Sequence, residues 1–156
     1  MVRAQVFTEA WPEEAFQIFT REVGFGFRPA GWSWIRPERG RYLRFNRDRD
    51  GRFAEACDAV TGASWEIGRV TVWQPGRRIA STWRQVGWPA GVYTDVDIWF
   101  SPAFDGTLVS VEHSGFERLR QGGDRAASEY QAAWVVALGW VAWRTPAASE
   151  VAGIPG

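Results

Sequence analysis

Three observations on this 156-residue chain predict an α+β fold, a curved antiparallel sheet of about six to seven strands wrapped around one long C-terminal helix, with two short helices near the N-terminus. In the stretch from Asp124 to Arg144, DRAASEYQAAWVVALGWVAWR, the residues Ala126, Tyr130, Trp134, Leu138 and Val141 recur at steps of four and three, one face of a helix. Between Tyr42 and His113 the period changes to two, in short runs separated by turn residues. A sheet with one apolar face needs a cover, and a helix widened by Val135, Val136, Trp140 and Trp143 needs a surface. A sheet curved around the helix supplies both.

The elements follow in order. Val2 to Thr8 alternates weakly and reads as a first strand. Pro12 suits the first position of a helix and Glu13 and Glu14 suit its positive end, with Ala15, Phe16, Phe19 and Val23 as the buried stripe and Gly24 and Gly26 as the stop. The Gly-, Pro- and Trp-rich segment Phe25 to Pro37 reads as an irregular or short helical connection carrying Trp32 and Trp34. Strands Tyr42–Asn46 and Arg52–Ala56 flank the turn signal Asp50-Gly51. Trp65 to Trp73, Arg78 to Arg84, Val92 to Phe100 and Thr107 to His113 complete an antiparallel meander, turned at Gln74-Pro75-Gly76-Arg77 and at Pro102 to Gly106. Gly122-Gly123 breaks the chain before the long helix, Asp124 is its expected N-cap, and Pro146 stops it. At 1.5 Å per residue that helix is about 30 Å long. One domain over residues 1–145, with residues 146–156 as a loose tail, is the expected organisation.

Composition narrows the function classes. Eighteen cations and eighteen anions cancel, so no global field recruits nucleic acid or an anionic membrane. Arg36, Arg39, Arg41, Arg44, Arg47, Arg49 and Arg52 are interrupted by acids and spread over two faces, as on a solvated hairpin. The longest apolar stretch, Ala132 to Trp143, is short of the roughly 20 residues that span a bilayer, and no signal peptide is evident; a cytoplasmic location is expected. With Cys57 the single cysteine and His113 the single histidine, an internal disulfide is excluded and a Cys/His zinc site is not expected. No cofactor is indicated. Eleven Trp and ten Phe are unusual in so small a domain, and suit either a large core or an aromatic-lined cavity.

Several stretches, in order, resemble one family. EEAFQIFTREVG resembles its N-terminal helix, DGRFAE its Gly-Gly-Arg-Phe hairpin, and WEIGRVTVWQPGRRIASTWR its Gly-x-Val strand, Arg-Arg turn and Thr-Trp strand. TDVDIWFSPAFDGTLVSVEHSGFERL is similar to its final hairpin, and YQAAWVVAL to its Tyr-x-x-Gly-Trp-x-x-x-Leu helix, with Ala133 where Gly is usual. The set resembles activator of heat-shock-90 ATPase homologue-like domains of the START-like (SRPBCC) superfamily. The resemblance implies a helix-grip fold with a cavity between sheet and long helix. The superfamily includes lipid and hormone binders, polyketide cyclases and antibiotic self-resistance proteins, so fold alone does not select a function.

Alternation assigns candidate walls to such a cavity. Ile79, Ser81 and Trp83 share a face, as do Val96, Ile98 and Phe100, and Val109, Val111 and His113, opposite Asp95, Asp97 and Glu112. Gly68, in step with Val70 and Val72, would leave space under the helix. The expected ligand-binding set is Trp32, Trp34, Trp65, Gly68, Trp83, Ile98, Phe100, Val111, His113, Tyr130, Trp134 and Leu138. His113 reads either as a polar group that orients a ligand or takes a proton, or as a core histidine bonded to a neighbouring strand or to Tyr130. Trp73 and Trp99 should point outward, as a patch for a partner or a homodimer, unless a bulge intervenes. The leading expectation is non-catalytic binding of a small hydrophobic or aromatic molecule. The alternatives are a polyketide cyclase- or dehydratase-like enzyme using His113 or Tyr130, self-resistance by sequestration, and a co-chaperone-like protein-binding module.

Overall fold

A computed structural model describes residues 1–26, 42–46, 52–56, 64–85 and 87–143. Strand β1 (Val2–Thr8) leads into helix α1 (Pro12–Gly26), and the chain then runs through β2 (Tyr42–Asn46), β3 (Arg52–Ala56), β4 (Ser64–Gln74), β5 (Arg78–Trp83), β6 (Thr94–Ala103) and β7 (Gly106–Ser114). A single 3-10 turn, Phe116–Arg118, connects β7 to helix α2 (Gly123–Trp143). The seven strands form one antiparallel sheet in the order β1-β7-β6-β5-β4-β3-β2. β2 through β7 are the expected meander, while β1 crosses to the far edge and pairs Val2 with His113 and Thr8 with Thr107. This is the helix-grip arrangement. Of the two short N-terminal helices implied, α1 is present; residues 27–41, with Trp32 and Trp34, lie outside the described residues, as do Cys57 and residues 144–156.

The core lies between the sheet and the two helices. α1 contributes Ala15, Phe16, Ile18 and Phe19, the sheet Ile67, Ile79, Trp83, Val96, Ile98, Phe100, Val109 and Val111, and α2 Tyr130, Ala133, Trp134, Ala137, Leu138 and Val141. The α2 set is the face its sequence period defines. α2 lies directly against β1 and also touches α1; over the middle strands large side chains fill the interval. The small residues Ala133 and Ala137 are buried on the same face.

The start of α2 differs from expectation by two residues. Ala126 N–H donates to the Gly122 carbonyl at 2.9 Å, so Gly122 caps the helix and Asp124 sits in its first turn, where its charge still suits the helix dipole. Gly122 has φ 78°, and a Cβ on Gly123 would stand 2.5 Å from the Phe116 carbonyl oxygen, which is why two glycines meet here.

β4 is where simple alternation fails. Its pairing with β5 slips between Val70 and Val72, so that Trp73 aligns with the buried Ile79. Trp73 therefore turns inward, its ring 5.2 Å edge-on from Phe16, while Trp99 stays on the outer face under the Arg78 guanidinium, 4.3 Å from its ring centre. The two tryptophans lie on opposite faces, so they do not form the single outward patch expected of them. Gly68 is also corrected. A side chain there would run into the Thr82 carbonyl of β5, so the glycine admits a neighbouring backbone rather than opening space beneath α2.

Gly68→Ala is expected to destabilise the fold by about 1–3 kcal/mol through overpacking against β5. Gly139→Ala, in open space on α2, is expected to stabilise it by about 0.5–1 kcal/mol. Urea unfolding midpoints of the two variants should move in opposite directions.

Candidate functional site

Of the residues expected to line one site, Trp83, His113, Tyr130 and Trp134 come together. His113 is next to last on β7, Trp83 closes β5, Thr94 opens β6, and Tyr130 and Trp134 project from successive turns of α2. All five are buried. The His113 ring lies 4.8 Å from Tyr130, 4.5 Å from Phe116 and 6.1 Å from both Trp83 and Trp134. Ile98, Phe100, Val111 and Leu138 belong to the same core, with the Phe100 ring turned towards α1, 5.2 Å from Phe16. Gly68 is at the β5 backbone, and Trp65 is on β4, with its side chain outside the described part. Glu112 faces away, 3.5 Å from Arg3, and takes no part in the cluster.

A buried cluster with this much polar chemistry holds together only if each donor finds an acceptor. Here the bonds run in one direction. The Trp134 indole, which can only donate, gives its proton to His113 Nδ1 at 3.1 Å. Nδ1 is therefore bare, and the ring proton sits on Nε2, which donates to Thr94 Oγ1 at 2.7 Å. The Thr94 hydroxyl donates in turn to the Trp83 carbonyl at 3.2 Å. From the same residue the Trp83 indole donates to Tyr130 Oη at 2.7 Å. Having accepted from Trp83, the tyrosine hydroxyl donates to Gln85 Oε1. Both ends of the His113 ring thus demand one tautomer.

This geometry decides what His113 can do. Burial lowers its pKa from 6.5 to about 3. A proton added at Nδ1 would also meet the Trp134 N–H head on. The imidazole is neutral, has no lone pair left for a substrate, and acts as a connector between α2 and β6. Of the two readings its sequence allowed, the geometry matches the core histidine, bonded to Thr94 and Trp134 rather than to Tyr130, which it meets through its ring. Among the described residues no three His, Cys, Asp or Glu side chains are placed to hold a metal ion. Sequence reasoning missed Thr94, Gln85, Trp88 and Phe116. Thr94 opens an alternating strand and looks like any exposed β-branched residue, and Gln85 and Trp88 sit in a loop without period.

The cluster reaches the surface at that loop. Gln85 and Trp88 are half-buried, Trp88 N–H donates to the Gln85 carbonyl at 3.2 Å, and the Trp88 ring lies 6.3 Å from Tyr130. A separate open depression of about 570 Å³ lies at the start of α2, between Met1, Phe116, Leu119, Arg120 and Arg125. It shares no residue with the expected ligand set.

A family profile described as Activator of Hsp90 ATPase homolog 1-like protein matches residues 9–140. The chain belongs to that family. Among solved structures, protein MLL2253 from Mesorhizobium loti superposes with a TM-score of 0.63 at 17% identity over 91% of this chain and 93% of that one. CalU16 from Micromonospora echinospora gives 0.55 at 20% identity over 89% and 71%. The anthrahydroquino-gamma-pyrone synthase Txn09 gives 0.50 at 25% identity over 80% and 82%. No curated protein matches the chain. The first two likenesses show the shared fold, and this homolog 1-like chain carries its one histidine at the centre of that fold's core. No helix among the described residues is long and apolar enough to cross a membrane.

Two measurements test the connector role. Thr94→Val, nearly isosteric, strands the His113 N–H and should cost about 1–3 kcal/mol in urea unfolding. A neutral buried histidine contributes stability that is complete above pH 6.5 and is lost as pH falls towards about 3, because the unfolded chain then binds a proton that the folded chain refuses. The stability difference between wild type and His113→Gln should therefore shrink on acidification across that window, by up to about 1.4 kcal/mol per pH unit.

Proposed function

We propose that this chain binds a small, flat hydrophobic or aromatic molecule between the sheet and α2, and that it does so without catalysis. The observation that carries the reading is the one-way hydrogen-bond chain. It consumes the lone pair of His113 and the hydroxyl proton of Tyr130, the two groups an enzyme of this fold could have used for proton transfer. What remains on offer is aromatic surface. At the solvent edge the half-buried Trp88 offers its indole ring for stacking on a planar ligand, backed by Tyr130 and, deeper, by the buried Trp83 and Trp134.

The likeness to Txn09 supports the ligand class. That protein is named as a synthase of an anthrahydroquino-gamma-pyrone, a fused aromatic compound. A ligand of similar planarity, held but not transformed, fits a site with aromatic walls and no free base. Sequestration of such a compound is one use of a binder of this kind. Trp32, Trp34 and Trp65 would add further walls.

Native mass spectrometry of freshly purified protein should reveal a co-purifying apolar adduct, and flat aromatic compounds added to the delipidated protein should quench its indole fluorescence. Trp88→Ala should weaken that binding about tenfold, the loss of one stacking surface of about 1–1.5 kcal/mol, with its unfolding midpoint nearly unchanged. A protein that stays at its apo mass and whose fluorescence ignores every member of a panel of planar aromatics would sink the reading. Turnover of a bound compound that persists in His113→Gln would remove the non-catalytic part alone.

A further inference from the structure

Building on the pocket just proposed, we infer that Gln85 selects ligands carrying a hydrogen-bond acceptor, a carbonyl or quinone-type oxygen, at the end that lodges against Trp88 and Tyr130. The orientation of the Gln85 amide follows from the network. Trp83 Nε1 can only donate, so Tyr130 Oη accepts from it, and the tyrosine proton needs an acceptor of its own. Gln85 Oε1 is that acceptor. In the opposite orientation the amide nitrogen would face the hydroxyl and could not accept from it. The oxygen is thus engaged within the protein, and the Nε2 group, with two N–H donors, is left for whatever occupies the adjoining space. No protein acceptor bonds it among the described residues.

The position of those donors gives them weight. Gln85 is half-buried, its carbonyl closes a turn onto Trp88, and the Trp88 ring leans on Tyr130. Half-buried, Nε2 stands where water can accept from it. A planar ligand stacked on Trp88 displaces that water and must supply an acceptor, or it leaves a donor unmade in an apolar setting. Discrimination of this sort is stronger than any that ring packing alone provides, because the penalty falls on the ligand that lacks the polar atom.

Fluorenone and fluorene test this directly, being nearly the same shape with a carbonyl in one and a methylene in the other. Titrated against indole fluorescence, the wild-type protein should bind fluorenone about tenfold more tightly. Gln85→Glu keeps an oxygen acceptor for Tyr130 but carries no N–H donor at neutral pH, and should lose that preference while binding fluorene as before. Gln85→Met removes both roles and should also lose it, and near-ultraviolet circular dichroism reports whether the aromatic cluster stays intact in each. Equal affinity of the wild type for the two probes, or a preference that survives in Gln85→Glu, overturns the role of Gln85 and leaves the pocket standing. Binding of neither probe overturns the pocket, and Gln85's role with it.

Discussion

The burial of one neutral imidazole between a strand and a helix is the constraint around which this molecule is arranged. His113 must be dry for the core to close, and a dry imidazole needs a donor on one side and an acceptor on the other. Trp134 supplies the first and Thr94 the second, which ties α2 to β6 through β7. Because indoles only donate, the direction of every later bond is then forced, through the Trp83 backbone and side chain to Tyr130 and out to Gln85. The aromatic rings around this thread bury about 150–250 Å² each. The thread makes one arrangement of those rings preferable to the many others that equal area would allow.

Much of this was legible beforehand because it rests on period. α2 announces its buried face through Tyr130, Trp134, Leu138 and Val141, and β6 and β7 announce theirs through Val96, Ile98, Phe100, Val109, Val111 and His113. These strands pair without a slip from Asp95↔Ser114 to Ala103↔Gly106, so counting by twos succeeds. β4 is different. Its WEIGRVTVW run alternates on paper, yet slips against both neighbours, beside Phe53 on one side and Val70 on the other. Each slip exchanges inside for outside, which is how Trp73 came to rest on Phe16 instead of beside Trp99. Glycine in a strand was the available warning at Gly68, since it marks a bulge or a close backbone as readily as a gap.

The candidate site was legible only as a set of residue types. That His113, Trp83, Tyr130 and Trp134 converge follows from the alternating faces. That they exhaust one another's hydrogen-bonding capacity does not, because it depends on Thr94 lying beside Trp83 at the mouth of β5 and β6, a matter of register. A histidine in a cavity and a histidine in a closed network are spelled identically. The difference separates a base from a structural pin, and here it moves attention from the centre of the core to its rim at Gln85 and Trp88.

The position of β1 has a consequence for how the chain comes together. It is made first but pairs with the strand made last, Val2 with His113 across more than a hundred residues. During synthesis β1 has no sheet to join until β7 has emerged, and α1 meanwhile exposes Ala15, Phe16 and Phe19 with little to cover them. Contacts of such separation are entropically late, so the sheet should assemble from its local hairpins outward and close on β1 near the end. The Gln131 side chain of α2, which reaches the Arg3 carbonyl at 2.7 Å on the free edge of that strand, then acts as a latch fastened after everything else is in place.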